Sequence, residues 1–230
     1  MMFTGLALQK LNQLEAAIAS YDCTIHLDPN DAQAYWNKGF ALLLGGDFER
    51  GLPLYEWRWK KGDIKKRRLN FTQPFWLGNE SLEGKSILLH CEQGLGDTIQ
   101  FCRYVSRLSE AGVNVLFAPQ KPLRGLMKTL VSNVLIVDEN DPSLEFDVHS
   151  TLASLPLAFK TNLTSIPSIS PYLFADEDRI SRWKEKLGTD AFKIGICWEG
   201  GTSKMDPGRS FPVGHFYGLS KLTNIQLIIF

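Results

Sequence analysis

Cysteine is scarce in this chain and poorly spaced for chemistry. Four cysteines occur among 230 residues, Cys23, Cys91, Cys102 and Cys197, and no two have the Cys-x-x-Cys spacing of a metal or redox site. Cys91 and Cys197 end apolar runs, where a thiol serves as a small core residue. Unpaired structural thiols fit a reducing compartment, so a cytoplasmic location is expected and no metal is. Net charge is missing as well. Lysine plus arginine and aspartate plus glutamate both number 25, so no global field recruits nucleic acid or membrane. No apolar run reaches the ~20 residues of a membrane span. Lys10 and Glu15 interrupt the N-terminal pattern, which argues against a signal peptide. Two glycine signatures also fail. Gly84-Lys85-Ser86 has its upstream glycine, Gly78, one residue too far away and precedes its strand, which argues against a nucleoside triphosphate loop. Gly94-Leu95-Gly96 would need its third glycine at Ile99, which argues against hydride chemistry on a nicotinamide.

What is present begins with a repeat. A shift of 34 residues maps Gly5 onto Gly39, Leu8 onto Leu42, Ala17 onto Gly51 and Tyr21 onto Tyr55. Small residues recur where helices approach and large ones where they interlock. Pro29 stops the second helix. Period and pattern resemble a tetratricopeptide repeat, well in the first unit, whose first few residues are missing. The second unit fits less well, with Lys38 and Arg58 at positions that are usually apolar or small. Two repeats rarely bury enough surface to stand alone, so this pair must stack on further repeats or on the domain that follows. Residues 1–60 are read either as a plain helical hairpin pair or as a partner-binding surface. The basic run Trp57-Arg58-Trp59-Lys60-Lys61, continued by Lys65-Lys66-Arg67-Arg68, reads as a solvated helix end or linker, with a phosphate or acidic-partner contact as the alternative. Pro74, Phe75, Trp76 and Gly78 mark a turn-rich junction.

From residue 81 apolar runs alternate with amphipathic ones. Strands are predicted over 86–91, 113–118, 134–137, 146–149 and 193–198, and helices over 98–110, 121–130, 152–159 and 176–187. Phe101, Tyr104, Val105 and Leu108 line one face of the first helix. Strands separated by helices predict an α/β, Rossmann-like parallel sheet. The expected organisation is repeats over 1–60, a linker over 61–80, a Rossmann-like domain over 81–190 and the start of a second one over 191–230. Residues 225–230 read as a buried strand, and a chain ending inside a core strand reads as truncated at its C-terminus.

The stretch Glu92-Gln93-Gly94-Leu95-Gly96-Asp97-Thr98 lies between the first strand and its helix. A glycine-rich turn there brings backbone close to a ligand. Asp97 places a carboxylate at the mouth of the expected cleft, and Glu92, Gln93, Gly94, Gly96 and Thr98 become candidate substrate contacts. The competing role of Asp97 or Thr98 is helix capping. His149, at a strand end, is a weaker substrate-binding candidate beside a plain hydrogen-bonded role. A second strand-to-loop junction, Ile194 to Arg209, carries Lys204, Arg209 and the hydroxyl of Ser210. Arg209 can grip phosphate through two parallel bonds and Lys204 acts as a point charge. A surface ion pair or a turn is the alternative for each. An acid on one loop and cations on another point to group transfer from an anionic donor.

EQGLGDTIQFCRYV (Glu92 to Val105) resembles the first loop of glycosyltransferase family 9-like proteins, among them the lipopolysaccharide heptosyltransferases. IGICWEGGTSKMDPGRSFP (Ile194 to Pro212) resembles the start of their second domain. A group in which tetratricopeptide repeats precede such a region is more similar still. The resemblance implies a GT-B architecture of two facing Rossmann-like domains, acceptor on the first and nucleotide-sugar donor on the second. It implies Asp97 as base and Lys204, Arg209 and Ser210 on the donor phosphates. No cofactor is implied beyond the nucleotide diphosphate sugar as substrate. The acceptor is a hydroxyl on a glycan, lipid or protein, and a protein partner would use the repeats. The alternative is a non-enzymatic adaptor in which the Rossmann-like part is only a platform.

Overall fold

The computed structural model describes residues 1–61, 71–130, 133–188, 190–199 and 210–229. It divides into two compact units, Met1–Phe174 and Ala175–Phe230.

The first unit opens with helices α1 (Met2–Lys10), α2 (Leu14–Leu27), α3 (Ala32–Leu44) and α4 (Phe48–Tyr55). A 3-10 turn, Glu56–Lys60, continues α4. Aspartates start the second hairpin: Asp31 accepts from the Ala34 amide and Asp47 from the Arg50 amide, each satisfying an orphan donor of a first turn. The period seen in the sequence has a steric basis. A Cβ on Gly5 would stand 2.5 Å from the Tyr21 ring, and one on Gly39 would stand 2.8 Å from the backbone nitrogen of Tyr55. The same close approach therefore occurs twice, 34 residues apart. Ala17, Tyr21 and Ala41 form the small core of this region.

Four parallel strands follow: β1 (Ser86–His90), β2 (Asn114–Ala118), β3 (Val134–Ile136) and β4 (Val148–Thr151). Their order is β3-β2-β1-β4. In register, Leu89 stands beside Phe117 on one side and Ser150 on the other. Ile87, Leu89, Val115, Phe117 and Val148 belong to one buried cluster with Tyr104, Val105 and Leu108. The predicted helix over 98–110 is two helices, α5 (Leu95–Phe101) and α6 (Arg103–Glu110). They part at Cys102, whose carbonyl accepts from the Val105 amide in a tighter i→i+3 turn while its thiol bonds the Ile99 carbonyl. After β2 come a short 3-10 turn and α7 (Arg124–Met127), and after β4 another 3-10 turn and α8 (Leu155–Ala158). The junction around Phe75 adds to the sheet edge, because the His149 amide donates to Pro74 and the Trp76 amide to His149.

β1 is the strand at which the chain turns from building β2 and β3 on one side to placing β4 on the other. In open α/β sheets such a switch point, at the carboxyl ends of the strands, is where ligands settle.

The second unit holds α9 (Glu177–Leu187), β5 (Phe192–Ile196), a 3-10 turn Val213–Phe216, α10 (Tyr217–Ser220) and β6 (Ile225–Ile229). β5 and β6 pair in parallel with Ile194 beside Leu227. Cys197, expected in a core, is exposed. A two-stranded pair has too little cover to bury the residue beyond its end.

Gly39→Ala is expected to destabilise the protein by about 1–3 kcal/mol, since the new methyl meets backbone that cannot rotate away. Urea denaturation checks it, and an unchanged midpoint would mean that the hairpins do not approach so closely.

Candidate functional site

The turn after β1 is built from an apolar strand that ends at His90 and a helix that begins after Gly94. Gly94 has an ordinary extended backbone, φ −73° and ψ 176°, and a Cβ on Gly96 would meet nothing within 4 Å. The two glycines leave the turn surface open and are not demanded by strain. Asp97 closes a capping box, its Oδ2 accepting from the Gly94 amide at 3.0 Å. Its other oxygen has no hydrogen-bond partner among the described residues. The Thr98 hydroxyl is buried and donates to Gln120 Oε1 at 2.8 Å, and Gln120 Nε2 donates to the Gln93 carbonyl at 3.1 Å. Gln120, just past β2, thus clamps the turn from one side.

The other side is clamped from the helical region. The Gln93 amide donates to the Tyr55 hydroxyl at 3.4 Å. Arg58, in the 3-10 turn that continues α4, is completely buried. Its Nη2 donates to Glu92 Oε1 at 3.0 Å, to Ser154 Oγ at 2.6 Å and to Thr151 Oγ1 at 3.3 Å. Its Nη1 donates to Glu56 and to the Tyr55 carbonyl. The Tyr55 and Trp59 rings lie 4.6 and 4.7 Å from the guanidinium carbon. Burial works against the Arg58 charge, but Glu56 and Glu92 outweigh it and raise its pKa above the ordinary value. At Glu92 burial prevails over the pull of Arg58, and its carboxyl sits above the usual carboxylate range.

The 57–61 run is therefore not a solvated linker. Arg58 is interior, and the Trp57 ring stacks on Tyr35 at 3.8 Å. The rest of the basic run, Lys65 to Arg68, lies outside the described residues. Glu92, expected to touch substrate, instead faces Arg58 and the hydroxyls after β4. The sequence did carry a signal for Arg58: a cation at a repeat position that is usually apolar or small. Tyr55 was marked only as a repeat position, and Gln120 and Ser154 carried no signal.

A groove of about 520 Å³ runs between the helical region and the turn, lined by Asp97 together with Phe40, Phe48, Tyr55, Gln100 and Arg103. His149 does not line it. Its Nδ1 lies 3.1 Å from His90 Nε2, with the Phe71 and Phe75 rings edge-on around it. The structure thus brings Glu92, Gln93, Gly94, Gly96, Asp97 and Thr98 into one turn and leaves His149 in the sheet. Lys204 and Arg209 lie outside the described residues, and Ser210 is exposed in the second unit. Burial pushes the Cys91 and Cys102 thiols up to about 12, so neither is a nucleophile at neutral pH. Among the described residues no three His, Cys, Asp or Glu side chains gather as a metal site. No helix among them is long and apolar enough to cross a membrane.

Residues 5–46 match the TPR repeat family. The chain is 23% identical over 231 residues to the protein FlbA of Caulobacter vibrioides, a match covering 90% of this chain and 38% of FlbA. The chain therefore spans well under half the length of this curated relative. No solved structure matches it.

Arg58→Met should cost about 3–5 kcal/mol near neutral pH, because it leaves buried carboxylate unpaired. The loss should shrink in acid. Glu92 already sits above its ordinary value of 4.5, and without Arg58 it rises further. Above 4.5 the folded state then binds the proton more tightly than the unfolded one, so stability climbs as pH falls. Denaturation at pH 8 and pH 5 should show the larger deficit at pH 8; equal deficits would contradict a stranded Glu92 charge.

Proposed function

We propose that this chain carries the acceptor side of a glycosyltransferase with GT-B architecture, moving a sugar from a nucleotide diphosphate donor to a hydroxyl. The observation that supports this reading is Asp97. One of its oxygens is fixed by the cap and the other has no hydrogen-bond partner among the described residues, and the side chain lines a ligand-sized groove. The acceptor oxygen attacks the anomeric carbon as the bond to the diphosphate breaks, through an oxocarbenium-like transition state. The hydroxyl proton passes to Asp97, and the bonding pair leaves with the diphosphate. In this reading Lys204, Arg209 and Ser210 of the donor side receive that phosphate charge. Residues 81–190 form the acceptor half and 191–230 begin the donor half, with the repeats as the surface for a protein partner.

The adaptor reading has one observation in its favour. The switch point, where a doubly wound sheet receives its ligand, holds the Arg58 guanidinium between Glu92, Thr151 and Ser154. An adaptor needs no cleft there.

Thermal shift of the full-length protein against a panel of nucleotide diphosphates separates the two, since only the transferase gains stability from one of them. Asp97→Asn should lower transfer by about 10²–10⁴-fold while donor affinity holds, as expected for loss of a general base. Unchanged turnover removes Asp97 from that role. Arg209→Ala should weaken nucleotide diphosphate binding by about tenfold or more, and equal affinity by calorimetry removes Arg209 from the site.

A further inference from the structure

The chain that follows α8 folds back beside α6 and bounds a second cavity, of about 480 Å³. Side chains of α5 and α6 pin it there. The Tyr104 hydroxyl donates to Thr161 Oγ1 at 3.0 Å, and the Tyr172 hydroxyl donates to the Ile99 carbonyl at 3.1 Å. Arg103 Nη1 donates to the Pro167 carbonyl at 2.8 Å and Nη2 to the Tyr172 hydroxyl at 3.2 Å. Asn162 holds the first turn of this segment, its Oδ1 accepting from the Thr164 and Ser165 amides. The cavity wall is therefore a bonded piece of the fold.

The floor is one face of α6. Arg103, Ser106, Arg107 and Glu110 line the cavity at helical spacing, while Tyr104, Val105 and Leu108 of the same helix lie in the core. Arg103 gives a third bond, from Nε to the Gln100 carbonyl at 2.9 Å. All three acceptors are neutral, so its charge is uncancelled, and two of the five N–H donors of a guanidinium remain. The Arg107 guanidinium lies 5.6 Å from the Phe159 ring centre and has no hydrogen bond or ion pair among the described residues. The Glu110 carboxylate has none there either. Glu110 stands about 10 Å beyond Arg103 along the helix axis.

The charges are thus ordered: two cations at one end of the floor and one anion at the other. Adjacent guanidiniums suit a phosphate monoester, whose oxygens accept parallel bonds. The Ser106 and Ser168 hydroxyls also line the cavity and have no partner among the described residues. A second phosphate laid along the floor would meet Glu110, a like charge. Hydroxyls suit that end, because a carboxylate accepts from them. Ile166, Pro167 and Tyr172 offer carbon to the body between. The volume is that of a small-molecule site.

We propose that this cavity binds a phosphorylated monosaccharide, with its phosphate between Arg103 and Arg107 and its hydroxyls donating to Glu110. The site uses neither Asp97 nor residues 204–210, so it does not rest on the transfer reading. Arg103 and Ile166 also line the groove beside Asp97, so the two cavities share a wall.

Calorimetry on the full-length protein tests it with hexose 1-phosphates, hexose 6-phosphates, free hexose, gluconate and inorganic phosphate. At least one hexose phosphate should bind, about tenfold or more tightly than inorganic phosphate, and free hexose should not bind. Arg107→Gln should weaken that binding about tenfold, the scale of one charge-assisted hydrogen bond. The Arg107 guanidinium has no polar contact to lose, so this variant should fold as the parent does. Glu110→Ala should narrow the gap between hexose phosphate and inorganic phosphate. Arg179→Gln, at an exposed position of α9, should change nothing. The proposal is overturned if no hexose phosphate binds, if gluconate binds as tightly as the best of them, or if Arg107→Gln is without effect. Binding that is lost in Arg209→Ala but kept in Arg107→Gln places the sugar phosphate on the donor side; it overturns this site and supports the transfer reading.

Discussion

The buried guanidinium of Arg58 is the joint on which the first unit depends. The helical region and the sheet have separate apolar clusters, one around Tyr21 and one around Phe117. Between them stands a cation that touches the end of α4, the turn after β1 and the turn after β4. Taking such a charge out of water costs several kcal/mol. Here the cost is offset by two carboxylates, two hydroxyls and two aromatic faces. A well-packed apolar side chain would hold the pieces together as firmly, and often more so. What it would not do is fix direction, because apolar contact slides and a guanidinium fork does not. Glu92, Thr151 and Ser154 follow the ends of β1 and β4, so the helical region is registered against the carboxyl edge of the sheet, and the Asp97 turn is registered with it.

The partners in this joint could not be read from the chain, whereas the sheet could. Ile87, Leu88 and Leu89, or Val115, Leu116 and Phe117, are apolar runs of strand length between helical patterns, and the physics that buries them is local in sequence. The repeat was legible for the same reason, since Gly5 with Tyr21 and Gly39 with Tyr55 recur at a fixed step. Arg58 meets Glu92, Thr151 and Ser154 across 34, 93 and 96 residues. No window of sequence contains that set, and the neighbouring lysines disguise it as a solvated run. His149 is a similar case: its partner His90 comes near only because β4 pairs with β1. The break at Cys102 is subtler, for the helical periodicity continues through it and only the hydrogen bonds change.

Asp97 shows why a capping role and a chemical role need not compete. A carboxylate has two oxygens, and the cap uses Oδ2 alone. The bond to the Gly94 amide restricts the side chain to one orientation, and the clamp of Gln120 on Thr98 and Gln93 holds the turn beneath it. A group held by its own helix start through one oxygen is better preoriented than a free side chain on a loop. The capping role that the sequence set against a chemical one for Asp97 is the contact that fixes its orientation.

Charge placement then constrains which ligand can approach from which side. The groove next to Asp97 is lined by that carboxylate, by the Arg103 guanidinium, which donates to two backbone carbonyls and the Tyr172 hydroxyl and keeps its charge, and by the rings of Phe40, Phe48 and Phe101. Diphosphate needs more than one cation, with free donors turned toward it. The transfer reading accordingly assigns the diphosphate to Lys204, Arg209 and Ser210 and not to the groove. What steers a ligand is the local sign of a surface and not the sum over the chain, so the absence of net charge does not by itself decide which ligands approach.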